Sequence, residues 1–381
     1  MGELGKFFRI IVVLALVVGW SAGTGWVLAR ASEVSFALWL EHWTGDFRTA
    51  LLSHRPKRQH DSIALVTITE ETMQRFPYRS PIDRQLLAQL ITLLDNAGAK
   101  SIGLDFLFLK PTEVEKDELL INAIAKAKTR VVIAVADRRV ELNPAQRDYQ
   151  NNFLARSGAR AGYANLLTGG DNIVRYIASP GEPAFPNSFA AALLSPDISV
   201  PRTADHRRIA WMLSPHDGNE RFFSIPAHLL VGASGKPTTV APALLTRFKD
   251  KFIIVGAQFP DIDRHEVPML PWRGEDDEVA GMLIHAQVAA QFVDGRDIRH
   301  LDQKALIALL SALAFLGVWF GMRHGIVAVS LYASTASLLI VAADMTLFHF
   351  FALIIPFGAC LGAMAAGVAG GMLLRVMRFA V

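Results

Sequence analysis

Asp261, Asp263 and His265 alternate within five residues, with Arg264 among them. Two carboxylates and an imidazole at that spacing offer oxygen and nitrogen lone pairs to a divalent cation, and Asp105 and His285 would extend the set. A metal-activated water there would support hydrolysis. Spacing alone does not fix ligand geometry. The expectation is therefore a polar loop without metal, in which Asp263 or Arg264 pairs and His265 bonds backbone. His285 falls on an amphipathic helix, as a packed residue or a donor behind the site. A second constellation, Arg79-Ser80-Pro81-x-Asp83-Arg84, reads as a helix entry capped by Ser80 with Pro81 in the first turn. Arg79 and Arg84 beside that N-terminus would hold an anion, or Arg84 would tie the helix to a strand-end carboxylate.

No spacing of Ser, His and Asp selects a triad, and there is no nucleophile elbow. Gly158-x-x-x-Gly162 and Gly169-Gly170 lack the following Lys-Ser/Thr of a phosphate-binding loop. The chain is expected to be non-enzymatic and without cofactor.

These groups must be positioned by an alternating pattern of strands and helices. Apolar strand-like runs occupy 63–68, 101–104, 130–136 and 251–256, and amphipathic helices are predicted over 83–96, 113–128 and 281–293. Buried strands alternating with helices predict a largely parallel sheet with covered faces. Some antiparallel strands are expected within 162–179 and 207–213, and loops over 180–186 and 195–201. Ligands of open α/β sheets bind beyond the carboxyl ends of the strands. Glu70 follows the first strand, Asp105 the second, Asp137 and Arg138 the third, and Gln258 the last. Asp105 also suits capping of loop amides. The candidate ligand-binding set is thus Glu70, Arg79, Arg84, Asp105, Gln258, Asp261, Asp263, His265 and His285.

Four apolar runs frame this domain, at 8–29, 304–322, 325–343 and 350–374. Each suffices to cross roughly 30 Å of hydrocarbon. The first reads as an uncleaved anchor, being longer than a signal-peptide core. Residues 33–54 carry an apolar stripe (Leu40, Trp43, Phe47 and Leu51 among it) and read as a stalk helix continuing the first span. The domain plan is a span over 1–30, stalk and linker over 31–61, the large domain over 62–303, three spans over 304–374 and a tail over 375–381. Lys6, Arg9, Arg323, Arg375 and Arg378 fall on one side, predicted to be the cytoplasm of a bacterial inner membrane, with the large domain periplasmic. Asp344 and His349, in a turn between the last two spans, are expected to face water. Stripes of small residues, Gly19 and Gly23 in the first span and Gly358, Gly362, Gly367 and Gly371 in the last, predict close helix packing, within the chain or against another copy or partner. The net charge of +3 and the absence of a basic patch interleaved with aromatics give nucleic-acid binding no support. The single cysteine excludes an intrachain disulfide.

The chain resembles the second variety of the CHASE domain, an extracytoplasmic sensory domain associated with cyclases and histidine kinases. The resemblance lies in stretches 63–72, 81–108 (with Asp83-Arg84 and Gly103-Leu104-Asp105-Phe106), 248–268 and 285–296, and in the order of one span, a large domain and three spans. It implies signal reception outside the membrane, read by a catalytic output domain inside. The seven residues after the last span hold no such domain, so the expectation is a receptor subunit that binds an unknown small ligand or partner protein and signals through a separate protein. The alternative is a structural component of an oligomeric or multi-protein envelope complex. The bilayer is the one partner that the spans themselves require.

Overall fold

The computed structural model describes residues 3–31, 35–195, 207–232, 236–269 and 276–379. Prolines and polar residues at 196–201, the later part of an expected loop, lie outside them, as do 32–34, where the stalk would join the first span. In chain order the elements begin with α1 (Glu3–Ala31), α2 (Ser35–Leu52), β1 (His60–Ile68), α3 (Glu70–Met73), α4 (Arg84–Asn96), β2 (Ser101–Asp105), α5 (Val114–Lys126) and β3 (Arg130–Val135). Next come α6 (Pro144–Ser157), β4 (Arg160–Tyr163), β5 (Leu167–Thr168), β6 (Val174–Tyr176), α7 (Phe189–Leu194), β7 (Phe222–Pro226), α8 (Ala241–Leu245) and β8 (Phe252–Ala257). The chain continues through β9 (Arg264–Glu266), β10 (Glu278–Ala280), α9 (Gly281–Asp294), β11 (Arg299–His300), α10 (Gln303–Arg323), α11 (Ile326–Phe351), β12 (Leu353–Ile354) and α12 (Phe357–Phe379). Two compact units result, Ser53–Asp297 and the remainder.

The first unit is built on a six-stranded sheet in the order β4-β3-β2-β8-β1-β7, parallel throughout. Alternation along β1 feeds two cores. Ala64 and Val66 join Leu87, Leu90 and Leu94 of α4 on one face, and Ile63 and Leu65 join Phe189 and Ile284 on the other. Each fully buried leucine of α4 contributes roughly 1.5–3 kcal/mol relative to exposure. Helix α4 is capped by Asp83, whose side chain accepts from Leu86 N at 3.0 Å. The expected cap at Ser80 is corrected, because Asp83 supplies the stronger acceptor one residue before the helix. Small antiparallel pairs form between β5 and β6 and between β9 and β10.

The segment 207–213, expected as a strand, makes only isolated bridges. Arg207 and Ile209 bond to the backbone of Ile177 and Arg175, and at Ala210 and Met212 the backbone is held by two glutamines of α9. Gln287 accepts from Met212 N at 3.0 Å and donates to Met212 O at 2.9 Å, and Gln291 accepts from Ala210 N at 2.8 Å. Buried backbone must find partners, and side-chain amides here replace a neighbouring strand.

Among the described residues, the second unit holds four helices long and apolar enough to cross a membrane. Helices α10 and α12 meet through glycines. A Cβ on Gly317 would fall 2.6 Å from Met364 O and one on Gly321 2.5 Å from Val368 O, while Gly367 and Gly371 lie against the carbonyls of Ala314 and Val318. Gly358 faces Leu40 and Gly362 faces Leu28. Around Gly19 and Gly23 a Cβ would meet nothing within 4 Å. Helix α11 runs on to Phe351, so the turn expected at 344–349 is helical. Asp344 does not face water. It is buried, pairs with the fully buried Arg48 of α2, and accepts from Ile355 N at 3.3 Å. An ionised carboxylate on an apolar helix needs a countercharge, and α2 supplies it. His349 is exposed near the end of the same helix. Glu41 of α2 also accepts from Gly358 N at 2.7 Å, at the start of α12.

Candidate ligand site at the carboxyl edge of the sheet

Insertion of β8 between β1 and β2 makes three of the predicted strand ends neighbours. Asp105 pairs in register with Gly256, and Gln258 N donates to Ile68 O at 2.9 Å, so the loop leaving β8 starts beside both other ends. That loop, 258–263, carries two polar clusters.

The outer cluster is Glu70, Arg79 and Asp261. The Arg79 guanidinium lies 2.5 Å from Glu70 Oε1, donates to Asp261 Oδ2 at 3.0 Å, and sits 4.2 Å from the centroid of the Phe259 ring. The hydrogen bonds from Arg79 hold the Asp261 carboxyl below its ordinary range. All three side chains keep substantial contact with water, so the cluster is adjustable rather than rigid.

The inner cluster is Asp105, Asp263, His265 and His285. Asp263 adopts φ of 55°, a left-handed conformation that aspartate tolerates. Its Oδ2 accepts from Gly281 N at 3.2 Å at the start of α9, and its Oδ1 accepts from His265 Nε2 at 2.8 Å. Gly281 leaves room for this approach, since a Cβ would fall 2.6 Å from Asp263 Oδ2 and push the carboxylate aside. His285, one turn into α9, is buried edge-on against Phe189 at 5.2 Å, and its Nε2 lies 3.8 Å from Asp105 Oδ1. That is beyond hydrogen-bond length. Burial, then the Asp263 charge, pushes Asp105 up to about 8, while burial pushes His285 down to about 4 against the pull of Asp263. Near pH 7 the pair is therefore a carboxylic acid beside a neutral imidazole, not an ion pair. Neither side chain makes a hydrogen bond to a described residue.

Two predicted residues stand apart. Arg84, the first residue of α4, is buried, 4.3 Å from the centroid of the Phe108 ring and 3.5 Å from Asp117 Oδ1. Gln258 turns to a cavity on the α9 side of the sheet. Asp137, after β3, is occupied by Arg139; burial raises its carboxyl, and the hydrogen bonds and charge of Arg139 outweigh that and leave it low. No group of three potential metal ligands occurs among the described residues. Sequence reasoning missed Trp211 and Gln287, which line the cavity with Gln258. The one available signal was the pair Gln287 and Gln291, four apart on an otherwise apolar helix face.

A family model for the CHASE2 domain matches residues 12–324, from the first apolar helix to the end of α10. The chain belongs to the CHASE2 domain family. No curated protein and no solved structure matches it significantly. The match makes this a membrane protein with an extracytoplasmic sensory domain, and no catalytic domain accompanies the CHASE2 domain in the matched region. Within that frame, the strand-end clusters hold seven of the nine predicted residues, and Arg84 and Gln258 lie outside them.

Proposed function

We propose that this protein is a bacterial inner-membrane receptor subunit whose CHASE2 domain binds a small ligand or partner protein at the carboxyl edge of its sheet and passes the signal to a separate protein. The observation that carries the reading is the Asp105–His285 pair. His285 is buried and Asp105 nearly so, both are uncharged near neutrality and hydrogen-bonded to no described residue, and they lie at the edge where parallel α/β sheets take ligands. A buried polar group left unpaired costs about 1–3 kcal/mol, and a ligand that supplies a donor and an acceptor recovers it. Such a pair is costly in a purely structural module and useful in a receptor.

Both termini are placed in the cytoplasm and the domain in the periplasm. The flanks carrying Lys6, Arg323 and Arg375 fall on one side, and the segment joining α11 to α12 has no Lys or Arg. The test is purification of the full protein in gentle detergent from its native membrane, with mass spectrometry of what accompanies it. A stoichiometric partner bearing a kinase, cyclase or other cytoplasmic output domain supports the receptor. Recovery of the protein alone as a defined oligomer, or with envelope structural proteins, refutes it in favour of a scaffold.

A further inference from the structure

At the amino edge of the sheet, opposite the strand-end clusters, an open depression of about 550 Å³ lies between the C-termini of α5 and α6 and the first residues of β3 and β4. Among the described residues its lining carries Lys128, Arg130, Arg156 and Arg160 and no Asp or Glu. Apolar groups, Ile124, Ala127 and Ala155 among them, complete it.

Basic residues near helix C-termini ordinarily complement the carbonyl end of the helix dipole, which carries about half a negative charge. The ends of α5 and α6 together therefore offset about one of the four cations. Arg156 donates to Glu118, which neutralises another. A surplus of about two positive charges remains. Asp95, the carboxylate that feels the Lys128 charge, lies outside the lining and accepts from Lys128 N at 3.2 Å and Thr129 N at 2.7 Å. The side chain of Arg160 is exposed and makes no hydrogen bond or ion pair with a described residue.

Sheet register brings two of these charges together. Val132 pairs with Arg160, so Arg130, two residues earlier and on the same face, is the diagonal neighbour of Arg160. Arg130 is half-buried and fixed, its Nη2 donating to Leu193 O at 3.0 Å and Leu194 O at 2.7 Å. Burial, then the charge of Arg160, pushes its pKa down. The two guanidiniums therefore repel each other, and an anion between them would reverse that repulsion.

We propose that this depression binds a phosphate monoester, with the dianion between Arg130 and Arg160, Lys128 at the rim, and the organic substituent over Ile124, Ala127 and Ala155. A dianion matches the surplus charge, and the planar guanidinium fork suits phosphate oxygens. The volume is that of a site for a small organic molecule rather than a bare ion. This site is separate from the strand-end clusters and does not depend on the receptor reading. A soluble ester and the headgroup of a phosphatidate lipid share the chemistry.

The experiment is isothermal titration of the full chain, in phosphatidylcholine nanodiscs at low salt, with phenyl phosphate and with benzoate. Saturable binding of phenyl phosphate is expected, about tenfold tighter than benzoate and weakening as salt is raised. Arg160→Gln, at an exposed position, should weaken phenyl phosphate about tenfold with melting temperature unchanged, and Arg160→Glu should abolish binding. Lys110→Gln removes the same charge beyond the carboxyl end of β2 and should leave binding as in wild type. Absence of phenyl phosphate binding, equal binding of benzoate, or a loss in Lys110→Gln as large as in Arg160→Gln overturns the assignment. Nanodiscs doped with phosphatidate, against discs of equal charge made with phosphatidylglycerol, distinguish the sources. Loss of phenyl phosphate binding in the phosphatidate discs alone supports the site and makes a lipid headgroup its occupant. Equal binding in the two kinds of disc supports the site with a soluble ester.

Discussion

Replacing Asp105 with asparagine should remove a pH dependence from the CHASE2 domain. The native carboxyl titrates near 8 and an unfolded one near 3.8, so between those values the native state holds a proton that the unfolded state has lost. Stability then falls as pH rises, by about 1.4 kcal/mol per unit. His285 works the other way. Its native value near 4 lies below the ordinary 6.5, so stability falls as pH drops through that window. Between about 4 and 6.5 the two slopes oppose each other and nearly cancel. Between 6.5 and 8 only Asp105 acts, and wild type should lose roughly 2 kcal/mol across that interval. Amide exchange at Gly103 and Gly256, corrected for intrinsic rates, reads this as roughly a thirtyfold fall in protection. In Asp105→Asn the same amides should keep their protection from 6.5 to 8. A wild type that is flat over this interval, or a variant with the wild-type slope, would show that Asp105 is ionised in the native state and would remove the uncharged pair on which the candidate site rests.

Other expectations concern the supports of that site and the membrane unit. Arg48→Met should cost about 3–5 kcal/mol by stranding Asp344, and adding Asp344→Leu should restore most of it, as melting temperatures in detergent would show. Gly367→Leu should separate α10 from α12 and lower the melting temperature sharply, whereas Gly19→Ala should be within about 0.5 kcal/mol of wild type, because nothing occupies the space beside it. Gln287→Leu removes both bonds to Met212, and about 2–4 kcal/mol of local protection should be lost over 210–213 in hydrogen exchange.

Much of this architecture was legible in the sequence because it rests on local patterns. Apolar runs of about 20 residues have few folded alternatives to a membrane span, and β-branched runs alternating with amphipathic helices leave a covered parallel sheet as the economical packing. The motif order carried the family resemblance, which the CHASE2 match bears out. Three features were decided only in three dimensions. The order in which strands enter the sheet is a long-range choice, and the insertion of β8 between β1 and β2 is what makes Asp105, Gln258 and the end of β1 neighbours. Backbone satisfaction is another: 207–213 has a strand's composition, but Gln287 and Gln291 occupy the hydrogen-bonding groups of Ala210 and Met212. Charge placement is the third. Asp344 follows an apolar stretch and reads as a helix end, yet the nearness of Arg48, almost three hundred residues away in the chain, makes burial affordable and lets α11 continue to Phe351. Residue types set which groups can ionise, and the neighbours that folding supplies decide which of them do.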